Sequence, residues 1–444
     1  MPEASVRELT DIPLERLGDE MLELMRTLYP ICRSLTGNGV RETLRIVDEV
    51  IPLSVTEVPT GTPIFDWTVP REWNVSDAWI ADANGARVVD FQESNLHVVG
   101  YSTPVRARMT GSELEERLHS LPEHPDWIPA RTAYWANTWG FCVNESQRRA
   151  IRPDETYDVC IDSRLEDGQL TYAESLLGGE TKDEVLLSTY VCHPSLCNDN
   201  LSGIAVLAFL GRRLLELGNL RYTYRLLFSP GTVGPLTWLS LNLDRLDRVK
   251  HGLVLSCLGD PGPVRYKRSR RGAAEVDRAA EHVLRSSRAD ALIEDFVPWG
   301  GDERQFCSPG FDLPVGALTR TPHGLFPEYH TSADDFHLVR AESLADSLAA
   351  TLEIVAVLER NDAYVNRAPY GEPQLGRRGL YHEISAGAPR AEDSFQRALL
   401  WALNLSDGSH SLLDIANRAK IAFHTVADAA EALFDAELLE RVDQ

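Results

Sequence analysis

Apolar positions recur at helical spacing close to the amino terminus. Leu22, Leu24, Met25 and Leu28 share a face, a turn carrying Gly37, Asn38 and Gly39 follows, and a second amphipathic run reaches Ile51. Residues 18–50 therefore read as two helices. From Pro63 to Asn144 the pattern shortens to alternations such as Ala86–Phe91 and Leu96–Gly100, set among Trp67, Trp73, Trp79, Tyr101, Trp127, Tyr134, Trp135 and Trp139, as in a β-rich insertion. From Tyr157 to Leu358, near-continuous apolar runs alternate with helical ones. Strands are predicted at Glu184–Tyr190, Tyr224–Phe228, Gly252–Leu258 and Leu313–Leu318, and helices over Ser202–Gly218, Leu236–Leu246 and 341–360. Strands that do not alternate are buried on both faces, so this order predicts an α/β sandwich around a mostly parallel sheet.

The α/β domain is expected at 14–62 and 150–365, the insertion at 63–149, a Pro- and Gly-rich linker at 366–391 and a winged-helix-like unit at 392–444. In that last unit three helical runs, Phe395–Leu403, Leu412–Ala419 and His424–Leu433, precede a strand-like Leu438–Val442. Its charge argues against a DNA reader. It holds ten acidic side chains against four basic ones, and its third helical run carries Asp428 and Glu431, with Asp435 just beyond, and no Lys or Arg. The whole chain has 44 Lys+Arg against 67 Asp+Glu, a net −23, which repels phosphate backbones. No nucleic-acid partner is expected, and a packing or dimerisation role for the tail is. Association of copies would use the insertion or this unit.

No apolar run is long enough for a membrane span, and Met1–Glu20 has no apolar core, so neither a membrane nor a secretory role is expected. The seven cysteines are odd in number and form no C-x-x-C, which fits reduced thiols in a cytoplasm.

The chemistry concentrates at predicted strand ends. In Tyr190–Gly203 (YVCHPSLCNDNLSG), His193 and Asp199 follow a buried strand, where α/β sheets place ligand sites, and Ser202 is positioned to cap the next helix. Other strand ends supply Ser229–Thr232, Gly259-Asp260 and Pro327–Asp334 (PEYHTSAD). An imidazole and a carboxylate suit Zn²⁺. Taken singly, each of these residues has a structural reading as a cap or hydrogen-bonded side chain; their joint order is what points to a metal. The aromatic segment Arg131–Trp139 could line a substrate mouth, with Tyr134 and Trp135 as walls and Arg131 holding an anion, and Tyr329, beside His330, is a further expected substrate contact.

The order of these motifs resembles the co-catalytic zinc aminopeptidases and the related glutaminyl cyclases. Asp199–Gly203 is similar to their D-N-x-S-G, and Tyr329–Asp334 to their Y-H-T-x-x-D. A closer resemblance is to a bacterial family of aminopeptidase-like proteins with an inserted β-rich domain and a C-terminal winged helix. It is carried by Val69–Ile80, Asn95–Val105, Trp139–Cys142, Cys192–Gly203, Gly300–Gly310 and Pro327–Asp335.

The resemblance implies an aminopeptidase-like (zinc exopeptidase) α/β sandwich, with metal ligands at His193, Asp199, Asp260 and His330. It also implies hydrolysis of an amide or peptide bond in a small-molecule or short peptide substrate by zinc-activated water. One departure matters: Gly231-Thr232 stands where the aminopeptidases have Glu-Glu. One zinc is therefore expected rather than two, and another carboxylate must accept the proton. Asp302, Glu303 and Glu328 are the candidates. Glu328 is favoured over Glu303, because in an extended segment residues two apart face the same side and Glu328 would point with His330. For Glu303 and Arg304 the competing reading is a surface ion pair. The alternative function is an altered scaffold that binds a small molecule, peptide or carbohydrate without cleaving it.

Overall fold

The computed structural model describes residues 9–10, 13–380 and 394–442. Its centre is an eight-stranded sheet. In chain order the strands are β1 (Ser54–Pro59), β2 (Gln169–Leu177), β3 (Glu184–Tyr190), β4 (Thr223–Ser229), β5 (Val249–Leu255), β6 (Arg265–Lys267), β7 (Leu292–Glu294) and β8 (Val315–Thr319). Across the sheet they run β1-β2-β4-β3-β5-β8-β6-β7. β4, β3, β5 and β8 are mutually parallel, and antiparallel pairings attach β2 and β6 on either side. Every residue of β3 is buried, as expected of a strand covered on both faces.

The covers are two apolar clusters. One holds Val185 and Leu187 of β3 together with helices α1 (Leu14–Leu28), α2 (Asn38–Asp48), α3 (Ser202–Leu217), α5 (Glu275–Ser287) and α6 (Ala341–Arg360). The other takes Leu186, on the opposite side of the pleat, with α4 (Val233–Leu241) and the inserted sheet. The expected helix over Leu236–Leu246 is thus shorter; Leu243–Arg248 is a separate 3-10 turn.

The inserted sheet has four antiparallel strands in the order Arg87–Asp90, Glu72–Ala81, Thr156–Glu166, Val105–Thr110. The strand Thr156–Glu166 lies beyond the expected boundary at 149. Its long antiparallel pairing with Glu72–Ala81 makes it part of the smaller sheet. The C-terminal unit also starts earlier than its composition implies. Ala363–Asn366 is the middle strand of a three-stranded sheet, between Asp407–Ser411 and Leu439–Arg441. This strand is too short to stand out beside the Pro- and Gly-rich segment after it, and 381–391 of the expected linker lies outside the described residues. Helices α7 (Ser394–Leu405), α8 (Leu412–Ala419) and α9 (Phe423–Asp435) complete the winged helix. Among the described residues, no helix is long and apolar enough to cross a membrane.

Candidate metal centre

Three loops meet at the carboxyl ends of the parallel strands, where an open α/β sheet exposes its crevice. The first, after β3, carries His193 and Asp199. The buried Arg33 guanidinium fixes it by donating from Nε to the His193 carbonyl (2.7 Å) and from Nη2 to the Pro194 carbonyl (2.9 Å). Ser202 does not cap α3. Its hydroxyl donates to the Asn198 carbonyl (2.6 Å) and accepts from the Leu258 amide (2.9 Å), tying the first loop to the end of β5. Gly203 lets α3 approach closely, since a Cβ there would lie 2.6 Å from both the Leu255 carbonyl oxygen and Thr189 Oγ1. The loop after β8 brings in His330. Asp334 in that loop accepts from the backbone amides of Asn198 and Asp199, the latter at 2.9 Å, so the two motifs hold each other.

His193, Asp199 and His330 converge, with one donor atom from each all lying within 4.8 Å of one another. His330 Nε2 is 3.0 Å and His193 Nε2 3.8 Å from Asp199 Oδ2. Both Asp199 Oδ2 and His330 Nε2 are buried and otherwise without a hydrogen-bond partner among the described residues. Orphaned buried acceptors are costly, and two nitrogens with a carboxylate oxygen form a donor set for Zn²⁺. Burial pushes His193 down to about 4, which keeps the imidazole in its ligating neutral form although Asp199 opposes the shift. Burial also works against ionisation of Asp199, but His193 and His330 outweigh it and hold the carboxyl well below its usual range.

The other predicted ligand and the candidate bases are placed differently. Asp260 lies outside the cluster, and hydrogen bonds occupy both its oxygens: Oδ1 accepts from Thr321 Oγ1 (2.6 Å) and the Gly262 amide (2.8 Å), and Oδ2 from the Thr321 amide (3.0 Å) and Asn198 Nδ2 (3.1 Å). It positions the Asp199 loop through Asn198. Glu303 is not a surface residue. It is fully buried and ion-paired with Lys267. Glu328 does not stand in an extended segment. The Tyr329 amide bonds the Phe326 carbonyl, the Thr331 amide bonds the Glu328 carbonyl, and His330 has φ 55°, so the chain turns and residues two apart no longer share a side. Glu328 is not among the residues lining either cavity beside the cluster.

Asp302 does line that space. Its Oδ1 accepts from the Thr232 amide (2.7 Å), at the dipeptide that replaces Glu-Glu, while Oδ2 is buried without a partner among the described residues. Burial raises its pKa to about 7 with the help of Glu303, against the Thr232 amide and the Arg304 charge.

A cavity of about 380 Å³ opens onto the cluster, lined among others by Tyr134, Trp135, Tyr329, Asp302 and both cluster histidines. Arg131 lines a smaller adjoining cavity that also reaches His193 and His330. Its Nη1 is 3.4 Å from His119 Nδ1.

Three further residues were not picked out from the sequence. Tyr190 donates its hydroxyl to Asp199 Oδ1, and His323 Nε2 lies 2.8 Å from that Tyr190 hydroxyl oxygen. A carboxylate only accepts, so the phenol proton goes to Asp199 and His323 supplies the other. Cys257 Sγ is 3.9 Å from that hydroxyl. The one signal for Tyr190 was a polar-tipped aromatic closing a buried strand; His323 sits in no motif.

A parallel-centred α/β sandwich with a cluster of metal donors at its strand ends, followed by a winged helix, defines an aminopeptidase-like protein. Residues 22–361 match the family described as a domain of unknown function (DUF4910), and the chain belongs to that family; residues 362–441 match a winged helix-turn-helix family. A protein of Clostridium acetobutylicum named "Putative polysaccharide biosynthesis protein with aminopeptidase-like domain" is 48% identical over 425 residues, covering 96% of this chain and 97% of its own. The crystal structure of a "putative peptidase" from the same organism superposes with a TM-score of 0.91 at 46% identity, covering 98% of each chain. BSAP, a zinc aminopeptidase from Bacillus subtilis, shares the fold, with a TM-score of 0.56 at 11% identity over 77% of this chain and 94% of its own.

Proposed function

We propose that the protein is a mononuclear zinc hydrolase that cleaves an amide bond in a small substrate, with Asp302 as proton acceptor. The observation that carries this reading is Asp302 Oδ2, a buried and unpartnered carboxylate oxygen on the cavity shared with His193 and His330. Zinc held by His193, Asp199 and His330 would polarise the scissile carbonyl and acidify water.

The chain's own residues supply the rest. The Thr232 amide anchors Oδ1 of Asp302, so Oδ2 is the oxygen left to take a proton and later deliver it to the leaving amine. The carboxylate missing at Gly231-Thr232 is thus replaced from another loop, bonded to the same stretch of backbone. A single ion is favoured because the Tyr190 hydroxyl occupies Asp199 Oδ1, the oxygen a second ion would share.

Turnover of a panel of aminoacyl amides and N-acyl amino acids, read beside zinc content, tests this. Wild type should turn over at least one class. Asp302→Asn should lose about 10²–10⁴-fold in kcat with zinc retained, and His193→Ala should lose both zinc and activity. Zinc binding without turnover of any amide would favour the binding-scaffold reading instead.

A further inference from the structure

We propose that Arg304 is the anchor for a substrate carboxylate, so that the compounds this site accepts are amide-linked acids with an apolar body. Arg304 lines the 380 Å³ cavity together with Asp302 and the two cluster histidines. Its Nε is buried without a hydrogen-bond partner among the described residues, and the charge on its guanidinium acts on the neighbouring Asp302, whose pKa it pulls downward. That sets it apart from Arg225, Arg288 and Arg320, which are matched to carboxylates, and from Arg33, which is matched to backbone carbonyls. The neighbouring cation is already committed: Lys267 Nζ pairs with Glu303 and donates to the Trp299 carbonyl at 2.6 Å. Arg131, the cation suggested by the sequence, is exposed and opens on the adjoining cavity.

A guanidinium presents a rigid planar fork. It matches the two oxygens of a carboxylate better than it matches a neutral amide or a single hydroxyl. The same cavity carries Trp67 and Trp135, edge to face at 5.7 Å and partly exposed, which gives an apolar group a wall to lie on. A substrate spanning the site would place its carboxylate on Arg304, its amide at the histidines and its apolar portion on the tryptophans. The inference rests on the amide-hydrolase reading only in naming the bond between these groups; the anion site itself does not depend on cleavage.

The test is calorimetric binding to the full chain, metal-loaded and after chelation, with N-acetyl-L-phenylalanine, its carboxamide, N-acetyl-L-glutamic acid α-amide and inorganic phosphate as probes. The free acid should bind at least about tenfold more tightly than its carboxamide, as a charged hydrogen-bonded pair does. The preference should fall to within about twofold in Arg304→Gln, persist in Arg131→Gln, and survive chelation. Arg304→Lys, which keeps the charge but not the fork, should retain a weakened preference and guards against loss of fold in the glutamine variant. Tighter binding of the glutamic α-amide than of the phenylalanine acid would assign the carboxylate to a side chain instead of the chain end, still on Arg304. Equal binding of acid and carboxamide by wild type, an undiminished preference in Arg304→Gln, loss of the preference on chelation, or tightest binding by phosphate would each overturn the proposal. Failure of Asp302→Asn to reduce turnover would sink the hydrolase reading and leave this binding result untouched.

Discussion

Asp302 is held in an environment that a purely structural carboxylate would avoid. It is 4% exposed, and burial raises its pKa to about 7, so the folded protein holds this proton more tightly than the unfolded chain. The stability linked to this group is therefore present in acid and lost as pH rises from the usual carboxylate range through about 7. Asp302→Asn should raise the melting temperature at pH 8 and change it little at pH 4, while reducing turnover; equal melting at both pH values would show that the carboxylate is not destabilised. In the proposed role of proton acceptor it must be ionised, so kcat/KM should climb with pH along a limb at or below about 7, because a bound cation pulls the pKa down further. Tyr190 gives a second prediction. Its hydroxyl fills the space between Asp199 Oδ1, His323 Nε2 and Cys257 Sγ, and a donor from each of Asp199, Cys257 and His323 comes within 4.8 Å of the others. Tyr190→Val should open a soft second site and raise the metal content towards two ions per chain, with a thiolate charge-transfer band in the cobalt form. An unchanged ion count would show that the hydroxyl does not limit how many ions the site takes.

At the level of elements, the sheet depends on a charged knot as well as on its apolar faces. Arg225 of β4 reaches Glu184 on β3 through two bonds (2.7 and 2.8 Å) and Glu174 on β2 at 2.6 Å, with 6% of its side chain exposed. Removing one partner strands a buried charge, so Arg225→Met should destabilise by about 3–5 kcal/mol in denaturant titration, and adding Glu184→Leu should recover much of that. A loss below about 1 kcal/mol would mean that water reaches the knot. The same scale explains what could be read in advance. β3, α3 and α6 were legible because unbroken or periodic apolar runs have few alternatives. His193, Asp199 and His330 were legible because a strand end and a motif each restrict where a side chain can go. Asp260 and Glu328 stand apart from the cluster because motif order does not report local geometry: one loop commits its carboxylate to Thr321, Gly262 and Asn198, and the other turns where the spacing suggests an extended run. Arg304 and His323 gain meaning only from convergence in space, which no linear spacing carries.

Across the whole molecule, the winged helix is built into the aminopeptidase-like domain and not tethered beside it. Arg360 at the end of α6 donates to Asp428 (2.8 Å) and Glu431 (3.3 Å) of α9, the Phe423 amide donates to His282 Nε2 (3.1 Å), and Arg278 pairs with Asp414 of α8. One apolar cluster runs through the junction, from Leu284, Val355 and Leu358 to Leu413, Val426 and Leu433. The helix that would enter a DNA groove in a reader is therefore acidic and turned towards α6, and freeing it would expose apolar surface while leaving Arg360 unmatched. Two outcomes are expected together. Calorimetric melting of the full chain should give one cooperative transition, since units that share a core do not unfold independently. No salt-sensitive shift of duplex DNA should appear at physiological salt, because a docked acidic helix has no counterions to release from phosphate. Two resolved transitions with retained metal in the first unfolded state would show that the units are separable. A gel shift that weakens as salt rises would show that α9 leaves its place on α6, and would make DNA the partner that displaces Arg360.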